Sequence, residues 1–127
     1  MDAKATPRSV YLDVAKIDWE PTRFPGVEVK TLYREGSGRH TTLTRMAPGA
    51  VLPRHRHVGL EQSYVLEGTL VDDDGACLTG NFVWRRPGSV HSAWTPDGCV
   101  VLGIFDAPNE YLASEGAVGA PSETSPR

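Results

Sequence analysis

The chain has 127 residues, with 13 Lys and Arg against 16 Asp and Glu for a net charge of −3, and is 39% hydrophobic and 23% charged. Such a composition fits one globular domain and excludes a fully disordered chain, while the acidic balance offers no positive excess for nucleic-acid phosphates. No apolar run approaches the roughly 18 residues of a membrane helix. The N-terminus, MDAKATPRSV, has no apolar stretch of the secretory kind, so the expectation is a cytoplasmic protein with neither membrane nor nucleic acid as partner. Two cysteines, Cys77 and Cys99, are too few for a disulfide scaffold and read as small buried hydrophobes.

Helical periodicity is hard to find, and strand-like stretches recur at short intervals. Residues 1–26 form an N-terminal arm and edge strand. Val27 to Arg34 alternates apolar and charged residues, and Gly36-Ser37-Gly38 turns the chain. The Thr-rich HTTLTRM reads as a strand ended by Pro48-Gly49. QSYVLEGTLVD is a long strand in which Gly68 marks a bulge or a close backbone approach, and Asp74-Gly75 is a hairpin turn leading into ACL. NFVWR and SVHSAW follow, separated by Pro87-Gly88, and Cys99 to Phe105, CVVLGIF, is a near-continuous apolar run that reads as a buried strand. Residues 27–106 are thus a barrel or sandwich of many short strands, without a long helix, and residues 107–127 are a tail ending in the poorly packing ASEGAVGAPSETSPR.

His55 and His57 are one residue apart, so on a strand both imidazoles point the same way. Glu61 follows at the start of the next strand, and His91 lies just beyond Pro87-Gly88. Three imidazoles and a carboxylate suit one divalent ion of borderline softness, such as Fe, Mn, Co, Ni, Cu or Zn. An isolated His-x-His pair is more often a surface coincidence, and Arg54-His55-Arg56-His57 also reads as a basic patch. The frame around the pair decides between these. It runs Gly49, five residues, His55, Arg56, His57, three residues, Glu61, six residues, Gly68.

This frame resembles the first cupin motif at every specified position. Gly80 and Gly88-Ser89-Val90-His91 resemble the second, with Arg86 where that motif has proline and Thr95 where it has asparagine. EQSYVLEGTLVDDDG, RRPGSVH and PDGC are similar to the ChrR-type cupins and to acetylacetone-cleaving dioxygenase. The resemblance implies an all-β double-stranded β-helix, the small cupin jelly-roll barrel, as a single domain. It implies a site at His55, His57, Glu61 and His91 holding one divalent transition metal, with Fe(II) favoured and Zn, Ni or Mn as alternatives. It implies a homodimer, to which Trp19 and Phe24 in the arm would offer apolar groups. The implied function is that of a small oxygen-using dioxygenase on a dicarbonyl, hydroxyketone or aromatic substrate. A metal- or ligand-binding sensor without turnover and a metal-dependent isomerase or lyase are the alternatives.

No residue is assigned as catalytic beyond the metal ligands. Strand parity turns Ser63 and Val65 inward with Glu61, and Gln62 and Tyr64 outward, so Tyr64 reads as packing. Ala93 shares the inward face of His91, and Trp94 faces out. Trp84 and Trp94 read as core or interface residues, or as pocket walls. Asp72-Asp73-Asp74 reads as a solvated turn, Arg85-Arg86 as surface or salt-bridged residues or as a clamp for an acidic substrate, and His40 as a solvated or satisfied strand histidine.

Overall fold

The computed structural model describes residues 8–112, and the tail sequence from Ala113 onward lies outside the described residues. After a three-residue helical turn at Val14–Lys16, ten strands follow. They are β1 (Glu20–Pro21), β2 (Val27–Arg34), β3 (His40–Met46), β4 (Val51–Arg56), β5 (Glu61–Asp72), β6 (Gly75–Leu78), β7 (Phe82–Arg85), β8 (Val90–Trp94), β9 (Cys99–Phe105) and β10 (Glu110–Tyr111). Gly- and Pro-containing turns end most of these strands, which is why β2, β3 and β9 coincide with the stretches read from sequence.

All pairings are antiparallel. One sheet runs β1-β2-β3-β9-β5-β7. The other runs β10-β4-β8 and joins β6 through the far half of β5. The 12-residue β5 therefore belongs to both sheets, and its bend curls them into the barrel expected from sequence. The bend falls at an irregularity between Val65 and Glu67 in the pairing with β9. Gly68 follows at φ 77°, and a Cβ there would collide with the carbonyl of Gly98, so the close approach expected at this glycine is real.

The inner face repeats in rows across the first sheet. Glu61 pairs with Phe105, which pairs with His40; Ser63, Gly103 and Thr42 form the next row, and Val65, Val101 and Thr44 the one after. Val27, Met46, Val65, Leu70, Cys77, Cys99 and Val101 make the core, with both cysteines free and buried. The parity expected for β5 and β8 holds: Ser63, Val65 and Ala93 are buried, and Tyr64 and Trp94 are exposed.

Three expectations need correction. CVVLGIF is buried on one face only, because Cys99, Val101 and Gly103 point in while Ile104 is exposed on the outside. Trp84 and Trp94 are not core residues, being 50% and 42% exposed. Phe24 needs no partner to cover it, since it is buried in this chain's own core, and Trp19 lies under the cations of Lys30 and Arg45 at 4.8 and 4.3 Å from its ring. What the barrel leaves open instead is the outer face of the first sheet, where Tyr64 pairs with Phe82 and Leu102, and Gln62 with Trp84 and Ile104.

Candidate metal centre

Three strand ends and one long register bring the site together. His55 is the penultimate residue of β4 and lies directly across from His91 on β8. His57 sits just past the end of β4, where its backbone N–H donates to the Ser89 carbonyl and its own carbonyl accepts from Gly88. His57 is thus fixed on the face of His55 although it has left the strand. All three rings are buried, and one nitrogen from each lies within 4.8 Å of those of the other two. Their centroids are 4.6–5.0 Å apart, each pair edge-on.

The hydrogen bonds of these rings set their chemistry. His55 Nδ1 lies 2.7 Å from the carbonyl oxygen of Pro53, which only accepts, so Nδ1 carries the proton. His57 Nδ1 faces the carbonyl and hydroxyl oxygens of Ser89 at 3.3 and 3.2 Å. The Ser89 hydroxyl donates to the Arg86 carbonyl, so it meets the ring with its lone pairs. His91 Nδ1 lies 3.3 Å from Asp72 Oδ2. His55 therefore donates Nδ1–H outward and keeps its lone pair on Nε2, His57 donates Nδ1–H to Ser89, and His91 turns Nδ1 towards the Asp72 carboxylate.

Burial holds the His55 and His91 imidazoles neutral, pulling each down to about 4. His57 Nε2 is fully enclosed, and its near neighbour is Glu61 Oε1 at 2.6 Å. A ring nitrogen and a carboxylate oxygen this close repel unless a proton or a metal ion takes up their lone pairs. Three buried imidazoles with convergent ring nitrogens, two of them held neutral, are the donor set of a divalent transition ion, so the residues fit such a metal.

Glu61 approaches His57 and stands outside the mutually close trio. Its Oε2 accepts from the Ser63 hydroxyl at 2.9 Å and from Arg85 at 3.5 Å. Burial works to raise its pKa, but the His57 contact, the Arg85 charge and the Ser63 hydroxyl win, and it falls to about 2. Arg85 also forks onto Asp72 Oδ2, with Nε at 3.1 Å and Nη2 at 2.8 Å. Arg85 is thus not a surface residue but the buried link between two carboxylates, and Arg86 lies exposed against Trp84.

Asp72 is a second correction. Its Oδ1 takes the turn N–H groups of Asp74 and Gly75, as a solvated turn would, but its Oδ2 serves Arg85 and His91. His40 is satisfied rather than solvated: its Nδ1 lies 2.8 Å from the Gly38 carbonyl, and its ring stacks on Phe105 with centroids 4.5 Å apart.

Beside the rings lies a cavity of about 50 Å³, walled in part by Thr42, Leu52, Phe105, Asn109 and Tyr111. Sequence reasoning missed Asp72, Asn109 and Tyr111 as site residues, and the salt-bridged reading of Arg85 was the right one among those open. Arg85 alone was within reach of parity, because it shares the face of inward-pointing Val83 on β7.

Residues 7–107 match the sequence profile of the ChrR cupin-like domain. The chain belongs to the ChrR cupin-like family. No curated protein sequence matches it significantly. Among solved structures, this cupin superposes on a Methylibium petroleiphilum protein provisionally assigned as an acetylacetone dioxygenase, with a TM-score of 0.80, 18% identity, and coverage of 97% of this chain and 92% of that one. The acetylacetone dioxygenase of Acinetobacter johnsonii gives 0.75 at 13% identity, covering 98% and 89%. The anti-sigma ChrR of Rhodobacter sphaeroides, crystallised with SigE, gives 0.64 at 24% identity, covering 73% of this cupin and 50% of ChrR. At these identities the likeness establishes the shared fold. No helix among the described residues is long and apolar enough to cross a membrane.

The depressed pKa values fix a pH dependence for the metal-free protein. An unfolded chain protonates His55 and His91 near 6.5, whereas the folded one does so near 4. Between these values the unfolded state binds more protons, so stability rises with pH there. Glu61 acts with the same sign at lower pH, its stabilisation being present above its ordinary value of 4.5 and lost towards 2. The metal-free cupin is therefore expected to lose melting temperature steadily from pH 7 to pH 4, and His55→Gln should flatten the upper part of that slope. A melting temperature that is flat or rises on acidification contradicts the assignment.

Proposed function

We propose that this cupin is a metal-dependent enzyme, a small oxygen-using dioxygenase acting on a dicarbonyl, hydroxyketone or similarly small chelating substrate. The observation that carries it is the convergence of three buried imidazoles on one point beside a small cavity. His55, His57 and His91 would hold the ion, and Glu61, beside His57, would be its fourth donor. Iron(II) is the ion we expect in the cell, with Zn, Ni or Mn as substitutes. When bound, it would supply Lewis acidity and the capacity to activate O2.

The chain's own residues set what can bind. Glu61 and Asp72 bring two negative charges and Arg85 one positive, so a divalent ion leaves the buried cluster at about +1 and favours a monoanion such as an enolate. The cavity holds about three to five waters' worth of space, from about 50 Å³ at roughly 10–15 Å³ each, so the reacting part of the substrate is small. Leu52, Phe105 and Tyr111 keep it largely apolar and limit bulk water. Acetylacetone dioxygenases among the structural neighbours support this class of substrate.

The ChrR neighbour, solved in a complex with its sigma factor, supports a second reading, that of a metal or ligand sensor without turnover. Metal analysis after anaerobic purification, followed by O2 uptake with β-diketones, hydroxyketones and aromatic diols, separates the two. The expected result is one iron per chain and O2 consumption with at least one panel member. His57→Ala and His91→Ala should lose the metal, and Glu61→Gln should bind it more weakly without losing it, because three nitrogens remain. Metal retention without O2 consumption moves the assignment to the sensor or to an isomerase or lyase, and full metal content in His91→Ala overturns the site.

We further propose a cytoplasmic homodimer. Both cysteines are free, as suits a reducing compartment. The exposed outer face carrying Phe82, Trp84, Tyr64 and Ile104 is the apolar surface that a second copy would cover. Light scattering at micromolar concentration should give twice the monomer mass, and Trp84→Glu should shift it to the monomer. A monomeric wild type contradicts the proposal.

A further inference from the structure

Most of the polar side chains that wall the inner cavity are already engaged. His55 donates to Pro53, His91 faces the Asp72 carboxylate at 3.3 Å, Glu61 accepts from Ser63 and Arg85, and Arg85 is divided between Asp72 and Glu61. Tyr111 packs its ring on Phe24 and His55 and has further interactions of its own. Asn109 is different. It is 5% exposed, it lines the cavity, and its amide makes no hydrogen bond among the described residues. The hydroxyl of Thr42, at 1% exposure on the same cavity, likewise has no partner among them. Polar groups that face a small cavity and have no protein partner are left to bond water or a ligand there.

The fold fixes Asn109 in place. The chain leaving β9 is tied down where the Asp106 N–H donates to the Leu60 carbonyl at 3.0 Å. It then passes so close to Gly59 that a Cβ there would sit 2.9 Å from Asp106 Cβ and 3.0 Å from the Ala107 nitrogen. Pro108 presses on Gly38 in the same way, 2.9 Å from where a Cβ would be. Immediately after Asn109, Glu110 and Tyr111 pair with Arg56 and His55 as β10, and the Glu110 carboxylate accepts from Arg56 at 3.0 Å. Anchors before and after it hold Asn109 on a rigid strap against the strand that carries His55. A polar group held this way is preorganised for a ligand and needs no induced ordering.

We propose that Asn109, assisted by the Thr42 hydroxyl, is the residue that orients the substrate of this site. This rests on the metal-centre reading above and adds the far end of the ligand to it. The substrate class follows from the two ends. One end is a small anionic chelator for the ion, and the other is a carbonyl, hydroxyl or carboxylate that the Asn109 amide meets as donor, acceptor or both. An apolar far end would leave the amide unsatisfied, so the site discriminates against it.

Binding of oxamate to the cobalt(II)-loaded full-length protein, read from the visible cobalt spectrum, tests this. Oxamate chelates through one carboxylate oxygen and its amide oxygen and turns a second carboxylate oxygen and an amide NH2 away from the ion, whereas chloride, as a single atom, occupies the ion without reaching further. Asn109→Ala and Asn109→Leu should each bind oxamate about tenfold more weakly, the effect of about 1.4 kcal/mol. Cobalt stoichiometry and the chloride response should stay as in the wild type. Asn109→Leu fills the space of the amide, so a residue needed only for packing would be rescued by it. Wild-type affinity for oxamate in either folded variant overturns the proposal, as does an equal loss for chloride, which would mark a disturbed ion. Failure of the wild type to take up cobalt is seen before any ligand is added; it overturns the metal-centre reading, and this proposal falls with it.

Discussion

The site depends on where three histidines send their Nδ1 protons. An imidazole is a metal ligand only through a nitrogen that lacks a proton, and a neutral ring chooses its tautomer by the hydrogen bond it can make. Pro53, Ser89 and Asp72 offer acceptors on the outer side of each ring, and this commits Nε2 to the interior. Two of the three acceptors sit on backbone or on a turn next to the ligand strands. The barrel's geometry, rather than a flexible side chain, therefore sets the protonation pattern. The same burial that keeps water out also keeps the His55 and His91 rings uncharged at neutral pH.

This arrangement carries a cost that the rest of the cluster offsets. Glu61 is enclosed, and a lone buried carboxylate would take up a proton rather than stay charged. Arg85 prevents that by facing Glu61 and Asp72 together, and Ser63 adds a hydrogen bond. Removing Arg85 would strand two charges, which is commonly worse than never having built the network. The register of β5 makes the network cheap to assemble, because Glu61 lies directly opposite Arg85 on β7, and Asp72 closes the same strand eleven residues on.

How much of this was legible in the sequence depends on the range of the interaction. Strand limits could be read where Gly and Pro break the chain, and the inward set of β5 and β8 followed from a period of two. His55 and His57 were legible because their spacing is local, even though His57 proves to lie one residue outside its strand, and the distant His91 was legible through its frame Gly88-Ser89-Val90-His91. Asp72 was misread because a run of acids before a glycine is the signature of a solvated turn, and one oxygen of Asp72 does serve that turn. The apolar run of β9 looked buried on both faces because hydropathy cannot tell a second sheet from an open outer face. Asn109 left no local signal: its placement comes from contacts with Gly59 and Gly38, fifty and more residues earlier. The two-residue β10 is too short to show a period.

The central claim is that His55 and His91 stand in the metal-free protein as neutral rings with Nε2 bare, next to His57. Long-range proton–nitrogen correlation of the histidine side chains at pH 7 measures this ring by ring. The account predicts His55 and His91 rings with protonated Nδ1 and with Nε2 at the chemical shift of an unprotonated nitrogen, and on addition of Zn(II) the Nε2 resonances of His55, His57 and His91 should move together. Protonation of Nε2 in His55 or His91, or an imidazolium signal from either at this pH, would contradict it.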